Sequence, residues 1–88
     1  MKKLTEVVEV ENEGLVSLLG QRITVMCANY FYTGILEGVN DTCVLLTAPS
    51  IVYQTGPWSE TKYEDEQQLP TALYVQTASI EAFGVLNA

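Results

Sequence analysis

The chain has 88 residues, enough for one domain and too few for a large hydrophobic core. Its 48% hydrophobic and 17% charged residues leave apolar surface once such a core is filled, which marks an interface and predicts a small domain that oligomerises. Four Lys and Arg against eleven Asp and Glu, net −7, exclude the basic footprint of a protein that grips nucleic acid through its phosphates, but not a local site that stacks and hydrogen-bonds unstacked bases.

Residues 1–11 (MKKLTEVVEVE) alternate loosely between apolar and acidic and read as an N-terminal extension, with a single domain over 12–88. No apolar run long enough for a signal peptide or a membrane span follows Lys2 and Lys3. The expectation is therefore a cytoplasmic protein with no membrane partner. Residues 12–20 are predicted as a short helix. Asn12 serves as N-cap, and Glu13 sits in the first turn, where the macrodipole favours negative charge. Leu15, Leu18 and Leu19 form one apolar stripe, and Gly20 is the left-handed residue that ends the helix.

Residues 22–28 read as a strand with Ile23, Val25 and Cys27 on one face and Thr24, Met26 and Ala28 on the other. A turn at Asn29 and Tyr30 leads to a second strand over 31–39. Asn40 and Asp41 turn the chain again, because both tolerate left-handed backbone and bond their own amides. A third strand over 42–48 is broken or bulged by Pro49, with 51–53 as its continuation. Residues 55–71 differ in kind: Gly56-Pro57 punctuates, and Glu60, Glu64, Asp65 and Glu66 stand against Lys62 alone. They are predicted as a long, solvated acidic loop in which Trp58 and Tyr63 offer aromatic contacts to a protein partner. Residues 72–77 form a fourth strand, with Leu73 and Val75 alternating against Tyr74 and Gln76, and a short connection at Ala78 leads to a fifth over 80–85. Five short strands predict a mainly β chain folded as a small, strongly bent antiparallel barrel.

Parity along the second strand places Gly34, Leu36 and Gly38 on one face. Two glycines flanking a leucine let a strand coil and let other backbone approach. The following run, Cys43-Val44-Leu45-Leu46, is apolar on both faces; one fills the barrel and the other needs cover from the helix or a neighbouring subunit. Cys27 and Cys43 lie in strand-like apolar runs and read as small buried hydrophobes, a cross-strand disulfide being the alternative. With no histidine and no cysteine cluster, neither a zinc site nor a cofactor is expected.

The pattern Gly34-x-Leu36-x-Gly38, followed by a turn and an apolar strand, resembles the first signature of the Sm and Sm-like (Lsm) proteins, including the bacterial Hfq branch. The run LLGQRITV at 18–25 resembles that family's junction between helix and first strand. The resemblance covers about residues 13–54, more loosely 72–85. It implies an SH3-like fold, a helix followed by five bent antiparallel strands, and assembly into a ring of identical subunits. In such a ring the fourth strand of one subunit pairs with the fifth of the next. The implied interface residues are Leu73, Tyr74, Val75, Ile80, Ala82 and Phe83. The resemblance further implies single-stranded RNA contacts at two turns, carried by Asn40, Asp41, Thr42, Gln76 and Thr77. Asn40 stands where the family usually has Asp, Thr42 where many members have a stacking aromatic, and Val44 where the eukaryotic branch has a base-reading Asn. The second turn, Gln76-Thr77-Ala78-Ser79, lacks the family's Arg-Gly or Lys-His. Two functions are carried forward: a ring-forming RNA-metabolism module, and an oligomeric protein-interaction scaffold without nucleic acid. Glu64, Asp65 and Glu66 are adjacent rather than facing, so no enzyme is expected.

Overall fold

The computed structural model describes residues 14–59 and 62–86. The N-terminal extension and the cap residues Asn12 and Glu13 lie outside them. The chain is mainly β: β1 (Arg22–Cys27), β2 (Phe31–Val39), β3 (Cys43–Gln54), β4 (Asp65–Gln68), β5 (Leu73–Gln76) and β6 (Ile80–Gly84). All pairings are antiparallel, in the order β4-β3-β2-β1-β6, with β5 also on β3. The sheet thus has six strands rather than the expected five.

The strand count follows from the length of β3. Its 12 residues pair with β2 along one edge. On the other edge its first part pairs with β5, Val44 opposite Val75, and its last part with β4, Ile51 opposite Gln67. The sheet curls enough for Ile23 and Val25 of β1, Leu36 of β2, Val44 and Leu46 of β3 and Val75 of β5 to share one core. Each such aliphatic side chain contributes roughly 1.5–3 kcal/mol by leaving water.

The expected helix is a single turn of 3-10 helix, Leu15–Leu18. Leu19 already has extended backbone (φ −55°, ψ 133°), so the turn cannot propagate. At three residues per turn Leu15 and Leu18 share a side and pack on the core, whereas Leu19 falls off it and is exposed. Gly20 takes the left-handed conformation expected of it (φ 85°), and its N–H donates to the Leu36 carbonyl at 2.8 Å.

Pro49 bulges β3 without ending it. Thr33 pairs with Ser50 and Ile35 with Thr47, so Gly34 alone faces both Ala48 and Pro49. Ala48 is left-handed (φ 47°), which costs an L-residue about 1–2 kcal/mol. Pro49 has no N–H to leave unpaired there. The bulge leaves little room opposite it. A Cβ on Gly34 would lie 3.0 Å from Leu46 Cβ, 3.1 Å from the Thr47 carbonyl oxygen and 3.3 Å from Pro49 Cα. Gly38 is different, and the expectation that it shares a face with Gly34 and Leu36 is overturned. A second bulge at Glu37 lets Leu36 pair with Leu46 but Gly38 with Leu45, and Val39, not Gly38, packs against the core. A Cβ on Gly38 would meet only Leu45, at an ordinary 3.7 Å.

The acidic segment 55–71 is not all loop, although most of its described residues are exposed. It contains β4, and just before that strand Tyr63 lies against the face of the sheet opposite the core. Thr24, Thr33 and Ser50 stand side by side across β1, β2 and β3 on that outer face, all buried. Tyr63 is 7% exposed, and its hydroxyl is hydrogen-bonded to Thr24 Oγ1. Trp58 packs edge-on against Tyr63, ring centroids 6.1 Å apart, and is 53% exposed. Tyr63 therefore holds the fold and offers nothing to a partner, while Trp58 keeps half its surface in solvent.

Gly34→Ala should lose about 1–3 kcal/mol in urea denaturation, and Gly38→Ala should change stability by no more than about 1 kcal/mol, in the stabilising direction; equal losses at both sites would refute the bulge argument. Burial holds the Tyr63 phenol above its ordinary value, with the Thr24 hydrogen bond and Arg22 opposing and Glu66 assisting. The folded protein keeps that proton more tightly than the unfolded chain. Its contribution is whole below about pH 10 and is lost as pH rises through the folded value. Tyr63→Phe should weaken alkaline unfolding above about pH 10, leaving the part due to Cys27 and Tyr32, which burial also raises.

Candidate functional site

The turn between β2 and β3 is built by one side chain. Asn40 Oδ1 accepts from the Thr42 N–H at 2.8 Å, the Thr42 hydroxyl at 3.0 Å and the Cys43 N–H at 2.9 Å. Among the described residues Ala48 is the one non-glycine with positive φ, so neither Asn40 nor Asp41 uses the left-handed backbone expected of it. The side chain substitutes for a backbone acceptor instead.

The second turn is a short 3-10 segment, Thr77–Ser79, between β5 and β6. It is tied to the first at two points. The Thr77 N–H donates to the Thr42 carbonyl at 2.9 Å, and the Thr77 hydroxyl donates to the Asp41 carbonyl, also at 2.9 Å. Strand register adds a third link, Cys43 opposite Gln76. Asn40, Asp41, Thr42, Gln76 and Thr77, which lie in two separate parts of the sequence, are thus one surface cluster. A shallow depression of about 580 Å³ touches Asp41, Thr42, Gln76 and Thr77, with Tyr74 among its walls.

The internal bonds limit what this cluster can do. The Asn40 carbonyl oxygen and the hydroxyl protons of Thr42 and Thr77 are used inside the protein. The groups left for a ligand are the Asn40 amide nitrogen, the Asp41 carboxylate and the Gln76 amide, all on exposed residues, together with the acceptor lone pairs of the Thr42 and Thr77 hydroxyls. They form hydrogen bonds of the kind that read base edges, and they supply no positive charge. The cations among the described residues, Arg22 and Lys62, belong to neither turn. Val44 is fully buried in the core and can read no base.

Beside this cluster runs a second feature. An open cleft of about 440 Å³ follows β5 and is lined by all four of its residues, by Ser79 and Glu81, and by Cys27, Tyr30 and Tyr32 at the β1–β2 hairpin. Among the described residues β5 pairs only with β3 and β6 only with β1, so each has an unpaired edge. Tyr74 on β5 is 69% exposed and Phe83 on β6 39% exposed. Ala82 is exposed, Leu73 and Ile80 are half-buried against the core, and Val75 is buried within it, leaving only its backbone for a neighbour. β4 also has an unpaired edge, but all four of its residues are exposed and two are acidic, Asp65 and Glu66. Such charges blunt an edge against unwanted pairing.

The hairpin residues of the cleft had no separate sequence signal: Cys27 and Tyr32 look like ordinary strand positions, and only the curl of the sheet sets them opposite β5. Both cysteines are free thiols and half-buried. Burial, and then the Glu81 carboxylate, raise the Cys27 thiol above its ordinary value, which makes it a poor nucleophile. No helix among the described residues is long and apolar enough to cross a membrane. No protein-family model matches the chain, and no curated protein matches it.

The Asn40 side chain should dominate the stability of the paired turns. Asn40→Ala removes three hydrogen bonds at once and should cost about 1–2 kcal/mol. Asn40→Asp keeps the acceptor and should stay within about 0.5 kcal/mol of the parent. Thermal unfolding of the two variants checks this, and equal losses would refute the acceptor role.

Proposed function

We propose that this chain is a subunit of a self-assembling, Sm-like ring, closed by pairing β5 of one copy with β6 of the next. One observation carries the reading: among the described residues β5 and β6 are both unpaired edges, and each carries an exposed aromatic residue, Tyr74 and Phe83. Unpaired backbone donors and acceptors on a weakly charged, partly apolar edge are templates for another strand. The cleft along β5 gives an incoming strand room beside that edge. The glycine signature and strand order resemble the family in which rings are built this way. The single turn of 3-10 helix and the extra strand β4 are departures from its pattern.

Single-stranded RNA is the ligand this reading assigns to the joined turns, held through base edges by Asn40, Asp41 and Gln76. Juxtaposition of the two turns supports it, and the net charge of −7 restricts it to short contacts without phosphate attraction. A ring without RNA affinity is the protein-interaction scaffold.

Light scattering after size exclusion tests the assembly. The parent chain should elute as a closed oligomer at micromolar concentration, and Phe83→Lys should elute as a folded monomer. A monomeric parent overturns the ring. Fluorescence anisotropy with U-rich and A-rich RNA at low salt tests the ligand. Binding that falls on Gln76→Ala supports RNA, and no binding at high micromolar protein leaves the scaffold.

A further inference from the structure

Strands as short as β5 and β6, four and five residues, cannot by themselves bury the roughly 800 Å² per partner of a stable interface. Contacts outside the backbone ladder must supply the rest. We infer that the β3–β4 connection supplies it: Tyr74 of one copy lies on a shelf formed by Ala82 and Gly84 of the next and closes against that copy's Trp58. This rests on the edge-pairing reading above.

Charge selects the edges that can meet. In a chain of net charge −7, copies repel wherever carboxylates are brought together. The β4 edge carries Asp65 and Glu66, whereas β5 and β6 carry one charged residue between them, Glu81. A second copy therefore approaches along β5 and β6.

Strand parity then selects the side chains. Val75 points into the core, so Tyr74, next to it and opposite Leu45, points to the outer face. On β6, Ala82 pairs with Met26 and Gly84 with Thr24, both outer-face positions of β1. If the sheet continues from one copy to the next, Tyr74 stands opposite Ala82 or Gly84. A methyl group and a hydrogen leave the space that a phenol ring needs. Leu86 borders that space, its side chain 3.5 Å from where a Gly84 Cβ would be.

The shelf also has a wall. Thr24, the partner of Gly84, is the residue to which the Tyr63 hydroxyl is bonded. Trp58 packs edge-on against Tyr63 and is half-exposed. An aromatic ring arriving over Gly84 meets the exposed part of Trp58, and edge-on aromatic contacts suit interface anchors. The segment that reads as an acidic loop is then part of the subunit contact.

Trp58 is the chain's single tryptophan, so its emission reports this contact without labelling. A dilution series should be followed by light scattering and by tryptophan fluorescence together. Emission should shift to shorter wavelength as the parent chain assembles. Tyr74→Ala removes an exposed ring, so its circular dichroism should match the parent; it should weaken assembly by at least about tenfold and abolish the shift. Tyr74→Phe should preserve both. An oligomer whose Trp58 emission equals that of the monomer, or whose assembly Tyr74→Ala leaves unchanged, overturns the shelf while edge pairing stands. A parent chain that stays monomeric by light scattering overturns edge pairing itself, and the shelf with it.

Discussion

The close approach of Gly34 to the Ala48–Pro49 bulge is the constraint on which the sheet depends. One residue of β2 faces two of β3, and a Cβ there would press on Leu46, Thr47 and Pro49 at 3.0–3.3 Å, so glycine is the residue that fits without displacing them. The bulge divides β3 into two segments that pair with different strands, β5 before it and β4 after it. It thereby lets a short chain place Val75 against Ile23 and Val25, although β2 and β3 lie between their strands. Left-handed backbone at Ala48 is a local cost, and the continuous core it makes possible offsets it.

Among the described residues three strand edges are unpaired, and their chemistry differs. β4 is polar on all four residues and acidic on two, whereas β5 and β6 are mostly neutral and carry aromatic rings. An acidic chain that presented three equivalent edges would associate without order. With two carboxylates on one short edge and only Glu81 on the other two, a single pair of edges is favoured to join, which is the physical basis of the proposed ring.

The two turns show a balance between stability and recognition. Asn40 spends its acceptor on the backbone of its own turn, and Thr77 spends its hydroxyl on the neighbouring turn. These bonds fix the turns against each other, so the exposed amides and the Asp41 carboxylate are presented on a rigid base. The same bonds reduce the number of groups available to a ligand. With no cation in either turn, any recognition there rests on hydrogen bonds and shape, not on charge.

The sequence by itself determined what depends on local pattern. Alternation marked β2 at its observed bounds and found β1, β5 and β6 within a residue or so, Asn40 marked its turn, and Gly34 marked a close approach. Tertiary structure decided what depends on distant partners. β4 has no apolar alternation, because an exposed edge strand buries neither face, so Asp65 to Gln68 read as loop until β3 was there to pair with them. The stripe of Leu15, Leu18 and Leu19 fitted a helix, but two turns have too little intrinsic stability, and pairing of Gly20 and Gln21 with Leu36 ended the turn. Parity placed Gly38 beside Leu36, and a bulge at Glu37, set by the fit of β2 on β3, turned it away. Tyr63 looked like a surface aromatic and is a buried anchor, because its partner Thr24 lies 39 residues away in sequence. Side-chain pattern records which way a residue faces within its own segment; bulges, edge strands and cross-chain anchors are fixed by contacts that form only when the segments meet.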